Sequence, residues 1–162
     1  MNRATVPAFA LNMDLDLTPA MVSPMRCEIE TRLAGVLGDE DAEARVAMAV
    51  HELLENAAKY SSDGKARLRI ELAGPFLHLT LQNNSAKEHI DQLLVSFAEM
   101  RQHDPFSHYF TLMRRNAKIG SISRLGLARV RAEGEMEVAL AVEGQAVTIT
   151  ASMPVPTASD GL

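Results

Sequence analysis

The sequence holds one cysteine, Cys27, among 162 residues. A single thiol supports neither an internal disulfide framework nor a thiolate metal cluster, and it fits a reducing compartment. Set between Met25 and Ile29, it reads as a small buried hydrophobe. No apolar run reaches the ~18 residues that a bilayer span requires. Basic charge is scarce as well: 16 Lys and Arg against 21 Asp and Glu leave a formal net charge of −5. That balance gives no general attraction to nucleic acid or anionic lipid, so neither is expected as a partner. The stretch Ala4 to Leu11 is broken by Pro7 and followed by Asp14 and Asp16, which makes a poor signal peptide, and a cytoplasmic location is expected. The G-x-S-x-G, Walker A and dinucleotide-binding glycine fingerprints are missing. His51-Glu52 begins a zinc motif whose second histidine position is occupied by Glu55, and His103 and His108 have no standard metal spacing and read as solvent-exposed.

What is present is ordinary globular composition, 47% hydrophobic and 23% charged, which suits one domain. The domain is read as residues 1–153, with 154–162 as a flexible tail. Phe9, Leu11, Met13, Leu15 and Leu17 alternate as in a strand. Ser23-Pro24 reads as a helix start, Met25, Ile29, Leu33 and Val36 as its apolar stripe, and Gly38 as its end. A second helix begins at Asp39-Glu40-Asp41 and stops near Ser61, ahead of an Asp63-Gly64 turn. Alternation then predicts strands through Leu68, Ile70 and Leu72 and through Leu77, Leu79 and Leu81, joined at Gly74-Pro75. Glu88 to Met100 reads as a third helix, Arg101 to Gly120 as the least regular stretch, and Leu125 to Glu133 as a short fourth helix. A hairpin through Met136–Val142 and Val147–Met153 closes the chain. This order predicts an α+β two-layer sandwich, with helices on one face of a mixed, largely antiparallel sheet.

The second helix carries the chemistry. In Val46 to Tyr60, VAMAVHELLENAAKY, the residues Val46, Val50, Leu53, Leu54 and Ala57 share one apolar face. Glu52 and Asn56, four apart, sit one above the other on the far side, and a carboxylate paired with an amide can hold Mg²⁺ and orient a nucleophile. Spacing alone equally describes a solvated face, since His51, Glu55 and Lys59 lie there too.

The string Glu52-Leu53-Leu54-Glu55-Asn56-Ala57-Ala58-Lys59 resembles the N-box, E-L-x-x-N-A-x-K, of the histidine-kinase-like ATPase (GHKL, Bergerat fold) superfamily. The order of elements resembles its stand-alone anti-sigma-factor serine kinases over about 140 residues, and L-G-L-A-R-V before the last hairpin looks like the SiaB-like regulator branch. The resemblance implies a catalytic Glu52, Asn56 as Mg²⁺ ligand and Lys59 beside the nucleotide. It implies ATP and Mg²⁺ as cofactors and a STAS-domain or similar signalling protein as partner, with a homodimer left open. The family's D-x-G-x-G falls on Asn83-Asn84-Ser85-Ala86-Lys87, so Asn83 replaces the adenine-reading Asp and both glycines are absent. Its glycine-rich phosphate loop falls on Ser121 to Leu127, where Ser121, Ser123, Arg124 and Gly126 would contact phosphate. Residues 101–120 stand where the family carries a lid. An intact N-box with eroded glycine boxes leaves two readings open: a Mg-ATP-dependent serine/threonine protein kinase in a partner-switching system, or a nucleotide-free module that regulates by protein binding alone.

Overall fold

The computed structural model describes residues 9–119 and 125–155. Five strands form one sheet: β1 (Phe9–Asp16), β2 (Ser61–Ala73), β3 (Phe76–Ser85), β4 (Glu137–Glu143) and β5 (Ala146–Pro154). Their order is β1-β2-β3-β5-β4, and every pairing is antiparallel, so the expected mixed sheet is in fact uniform. Register follows the alternation of the sequence. Leu68, Leu81, Ile149 and Leu140 align across four strands, as do Ile70, Leu79, Ala151 and Val138. On the other face Arg69, Thr80 and Thr150 align, and His78 hydrogen-bonds Ser152 through Nδ1 at 2.9 Å. One dry and one wet face is the signature of an antiparallel sheet covered on one side.

The cover consists of α1 (Val22–Leu33), α2 (Glu40–Tyr60), α3 (Lys87–Arg101), α4 (Pro105–Ile119) and α5 (Leu125–Ala132). α2 is the centre of the layer. Asp39 caps it by accepting from the backbone N–H groups of Asp41 at 2.9 Å and Ala42 at 3.4 Å, and Glu40, Asp41 and Glu43 follow in the first turn where the helix dipole favours acids. Val46, Val50, Leu53, Leu54 and Ala57 are completely buried against the sheet and its neighbours. Each large aliphatic among them contributes about 1.5–3 kcal/mol by leaving water.

Several local expectations need correction. α1 begins at Val22, after a 3₁₀ turn at Pro19–Met21, which puts Ser23 inside the first turn rather than at the cap. It ends at Leu33 rather than Gly38, because Gly35 with φ +78° turns the chain out of the helix. Asp63-Gly64 does not separate two elements: it forms a bulge within β2, where the register shifts between Ser61 and Ala66 and Gly64 takes φ +70°. Cys27 is exposed, since two residues before Ile29 is about 200° around the helix from the buried stripe. The stretch read as irregular contains α4, whose Tyr109 and Leu112 pack with Ala128 and Ala132 of α5 in a small core separate from the main one. At the far end Pro154 still belongs to β5, and the buried Val155 donates its N–H to the Pro75 carbonyl at 2.7 Å. Among the described residues no helix is long and apolar enough to cross a membrane.

His108 corrects another expectation, being 7% exposed rather than solvated. It sits on the inner side of α4, its ring stacked on His103 at 6.0 Å with Nδ1 buried and unpartnered. Burial, and then the charges of Arg131 and His103, push its pKa below the ordinary histidine range. The folded state therefore binds a proton less readily than the unfolded chain. Stability is full above the unfolded pKa near 6.5 and falls as the pH drops through and below it. His108→Phe is expected to flatten this acid limb below about pH 6.5 in urea titrations at several pH values.

Candidate functional site

α2 and α5 meet along a polar cleft of about 380 Å³, lined by Glu52, Glu55, Asn56, Lys59 and Tyr60 from α2 and by Leu125 to Leu127, Arg129 and Glu133 from α5 and its end, with Tyr109 of α4 at its edge. Four of the residues singled out in the sequence, Glu52, Asn56, Lys59 and Gly126, thus come together, though Gly126 lies more than sixty residues downstream of the others. The approach is close. A Cβ on residue 126 would stand 2.5 Å from Oε2 of Glu52, so only glycine lets α5 settle against this carboxylate.

Glu52 is held as well as packed. Its Oε1 accepts from Nη1 of Arg129 at 3.0 Å, and its side chain is 12% exposed. Arg129 also donates through Nε to Oε2 of Glu133 at 2.7 Å, and Glu133 Oε1 accepts from the Tyr109 hydroxyl at 3.2 Å. The chain Tyr109, Glu133, Arg129, Glu52 therefore links α4 to α2. Donating to Glu133, and then to Glu52, pushes the Arg129 guanidinium pKa up and holds it firmly protonated. Burial and then the Glu133 charge push the Tyr109 phenol above its usual range. The sequence marks Tyr109 only as one of three aromatics within residues 101–120 and Arg129 only within L-G-L-A-R-V, and it assigns neither of them, nor Glu133, to the site. The one signal for them is the i,i+4 spacing of Arg129 and Glu133, common to many surface helices.

Asn83 does not line this cleft. It points inward from β3, 7% exposed, where its Nδ2 donates to the Asn84 carbonyl at 3.2 Å and to Ser85 Oγ at 3.0 Å, and it borders a separate recess with Asp14, Asp63 and Lys65. Ser121, Ser123 and Arg124 lie outside the described residues. Among the described residues no three His, Cys, Asp or Glu gather as a metal cage. Asn56 and Glu52 on one face suit Mg²⁺, which takes one or two protein oxygens and draws its other ligands from phosphate and water.

Gly126→Ala is expected to keep the fold and disturb the site. The colliding atom is the far end of a movable side chain, so the cost is about 1 kcal/mol or less, or roughly 2–4 °C of melting temperature. Glu52 would have to leave its place against α5, and the crystal structure of the variant would show its carboxylate parted from Arg129.

The fold and cleft define a two-layer α+β domain in which the helix α2 faces the glycine-bearing helix α5. A chain in the crystal structure of the SiaB–SiaC complex from Pseudomonas aeruginosa shares this fold, with a TM-score of 0.68 and 12% identity over 88% of each chain. No family model and no curated protein sequence matches.

Proposed function

We propose that this chain is a signalling regulator of the partner-switching type with a histidine-kinase-like ATPase fold, which binds Mg-ATP in the α2–α5 cleft and phosphorylates a serine or threonine of a STAS-domain or similar partner. The observation that carries this reading is the convergence of Glu52, Asn56, Lys59 and Gly126, from two distant motifs, on one polar cleft. The shared fold of a chain in the SiaB–SiaC complex supports it.

In this reading Asn56 supplies an amide oxygen to Mg²⁺, and the ion when bound supplies charge neutralisation at the phosphates. Glu52, aimed by Arg129, accepts the proton of the incoming hydroxyl. Lys59 offers a second positive charge at the cleft wall. Phosphoryl transfer depends mainly on positioning and electrostatics, so a site without the full set of family glycines still has the groups it needs.

A nucleotide-free module is the second reading, favoured by the pairing of Glu52 with Arg129 and by the enclosure of Asn83 away from the cleft. Incubation of the protein with Mg-ATP and a STAS-domain protein from its own genome separates the two. The kinase reading expects one phosphate on a partner Ser or Thr by mass spectrometry, and none with Asn56→Ala. A complex that forms equally with and without ATP and transfers no phosphate supports the module instead.

A further inference from the structure

Charge is unevenly distributed along this chain. Residues 101–132 contain seven Lys or Arg and one acid, Asp104, for a segment charge of +6, while the remaining residues carry nine and twenty, for −11. The basic segment includes α4, which has no acid at all. α4 turns Tyr109 and Leu112 toward α5. On its outer side Phe106 and Phe110 stand 49% and 50% exposed, and Arg114, also exposed, continues the same spacing of four. Two of the five phenylalanines of the protein are thus displayed on one solvent-facing stripe ending in a cation. Phe and Arg are enriched in the cores of protein interfaces, and Arg is among the residues that carry most binding energy there.

We infer that the outer stripe of α4, Phe106, Phe110 and Arg114, is the docking surface for an acidic protein partner, one presenting an apolar groove or helix face bordered by carboxylates. The inference deepens the proposed function by placing its partner surface. Charge complementarity selects this occupant. A bilayer is a poorer fit, because the wider apolar sector of α4 is already committed to α5 and two phenyl rings leave too narrow a face to insert. A nucleic acid is a poorer fit, because a long polyanion would also meet the −11 of the remaining chain. Docking here would bear on the catalytic cleft, since Tyr109 on the adjoining side of α4 starts the hydrogen-bonded chain that ends at Glu52.

The test is fluorescence anisotropy with a labelled amphipathic peptide of about 16 residues, leucines on one helical face and glutamates flanking them, against a matched peptide with lysine for every glutamate. The glutamate peptide is expected to bind the intact protein and to weaken as salt rises, while the lysine peptide does not bind. The paired change Phe106→Ala with Phe110→Ala, and separately Arg114→Glu, are each expected to weaken binding about tenfold or more. Both sites are exposed, so melting temperatures should stay within a few degrees of the parent. No binding of the glutamate peptide, or equal binding by the variants, overturns the surface. So does Phe106-dependent binding to phosphatidylserine vesicles or single-stranded DNA in its place, or self-association in ultracentrifugation that the paired change abolishes. Failure of the kinase reading shows elsewhere, in nucleotide titration, and leaves the peptide result untouched.

Discussion

On the proposed kinase reading, Glu52→Gln is expected to leave Mg-ATP binding nearly intact and to slow phosphate transfer to the partner by about 10²–10⁴-fold, the usual contribution of a positioned general base. Glutamine retains an oxygen that can accept from Arg129, so the link between α5 and α2 persists while the proton acceptor is lost. The variant thereby separates chemistry from architecture. Single-turnover transfer measured alongside nucleotide affinity distinguishes the outcomes. An unchanged transfer rate would remove Glu52 from the chemistry, and a parallel loss of affinity would make it a binding group instead. Arg129→Ala acts through Glu52 and is a positioning change. It is expected to lower the transfer rate while leaving nucleotide affinity nearly unchanged, because the Glu52 carboxylate loses the donor that aims it.

Leu54→Ala is expected to cost about 2–5 kcal/mol, or roughly 4–20 °C of melting temperature by calorimetry. Leu54 is wholly buried in the central helix of the helical layer and belongs to the main core. The surrounding positions come from β-strands and helices at once, so the space left by three lost carbons cannot collapse easily. Exposed Leu94, 48% accessible on α3, is the internal control: its replacement by alanine should change stability by about 0.5 kcal/mol or less. Similar losses at the two positions would contradict the packing described.

The strands and the helix α2 were readable because their patterns repeat. Alternation in Leu68 to Leu72, Leu77 to Leu81 and Val147 to Met153 gives register directly, and Val46, Val50, Leu53, Leu54 and Ala57 are buried as their spacing requires. α4 escaped notice because it opens with Asp104-Pro105 and mixes buried Tyr109 and His108 with exposed Phe106 and Phe110. Its apolar residues serve a small core shared with α5 and a solvent-facing stripe at once, which blurs a single helical face. Asp63-Gly64 has turn chemistry, yet the ladder continues through it as a bulge. Cys27 followed the average for its residue type, and its angle around α1 decided otherwise. At the site, the motif led to Glu52, Asn56 and Lys59. The partners that hold Glu52 come from residues 109 to 133, and no local spacing signals a contact made across that distance.

The cleft between α2 and α5 as a Mg-nucleotide site is tested most directly by isothermal titration with ATP and a non-hydrolysable analogue, with and without Mg²⁺, on the parent protein and on Asn56→Ala. The expected result is saturable binding by both nucleotides that requires Mg²⁺ and is lost in Asn56→Ala, whose fold is checked by an unchanged melting curve. No heat of binding at millimolar nucleotide, or binding indifferent to Mg²⁺ and to Asn56, would contradict it and leave the α2–α5 cleft as part of a protein-binding module.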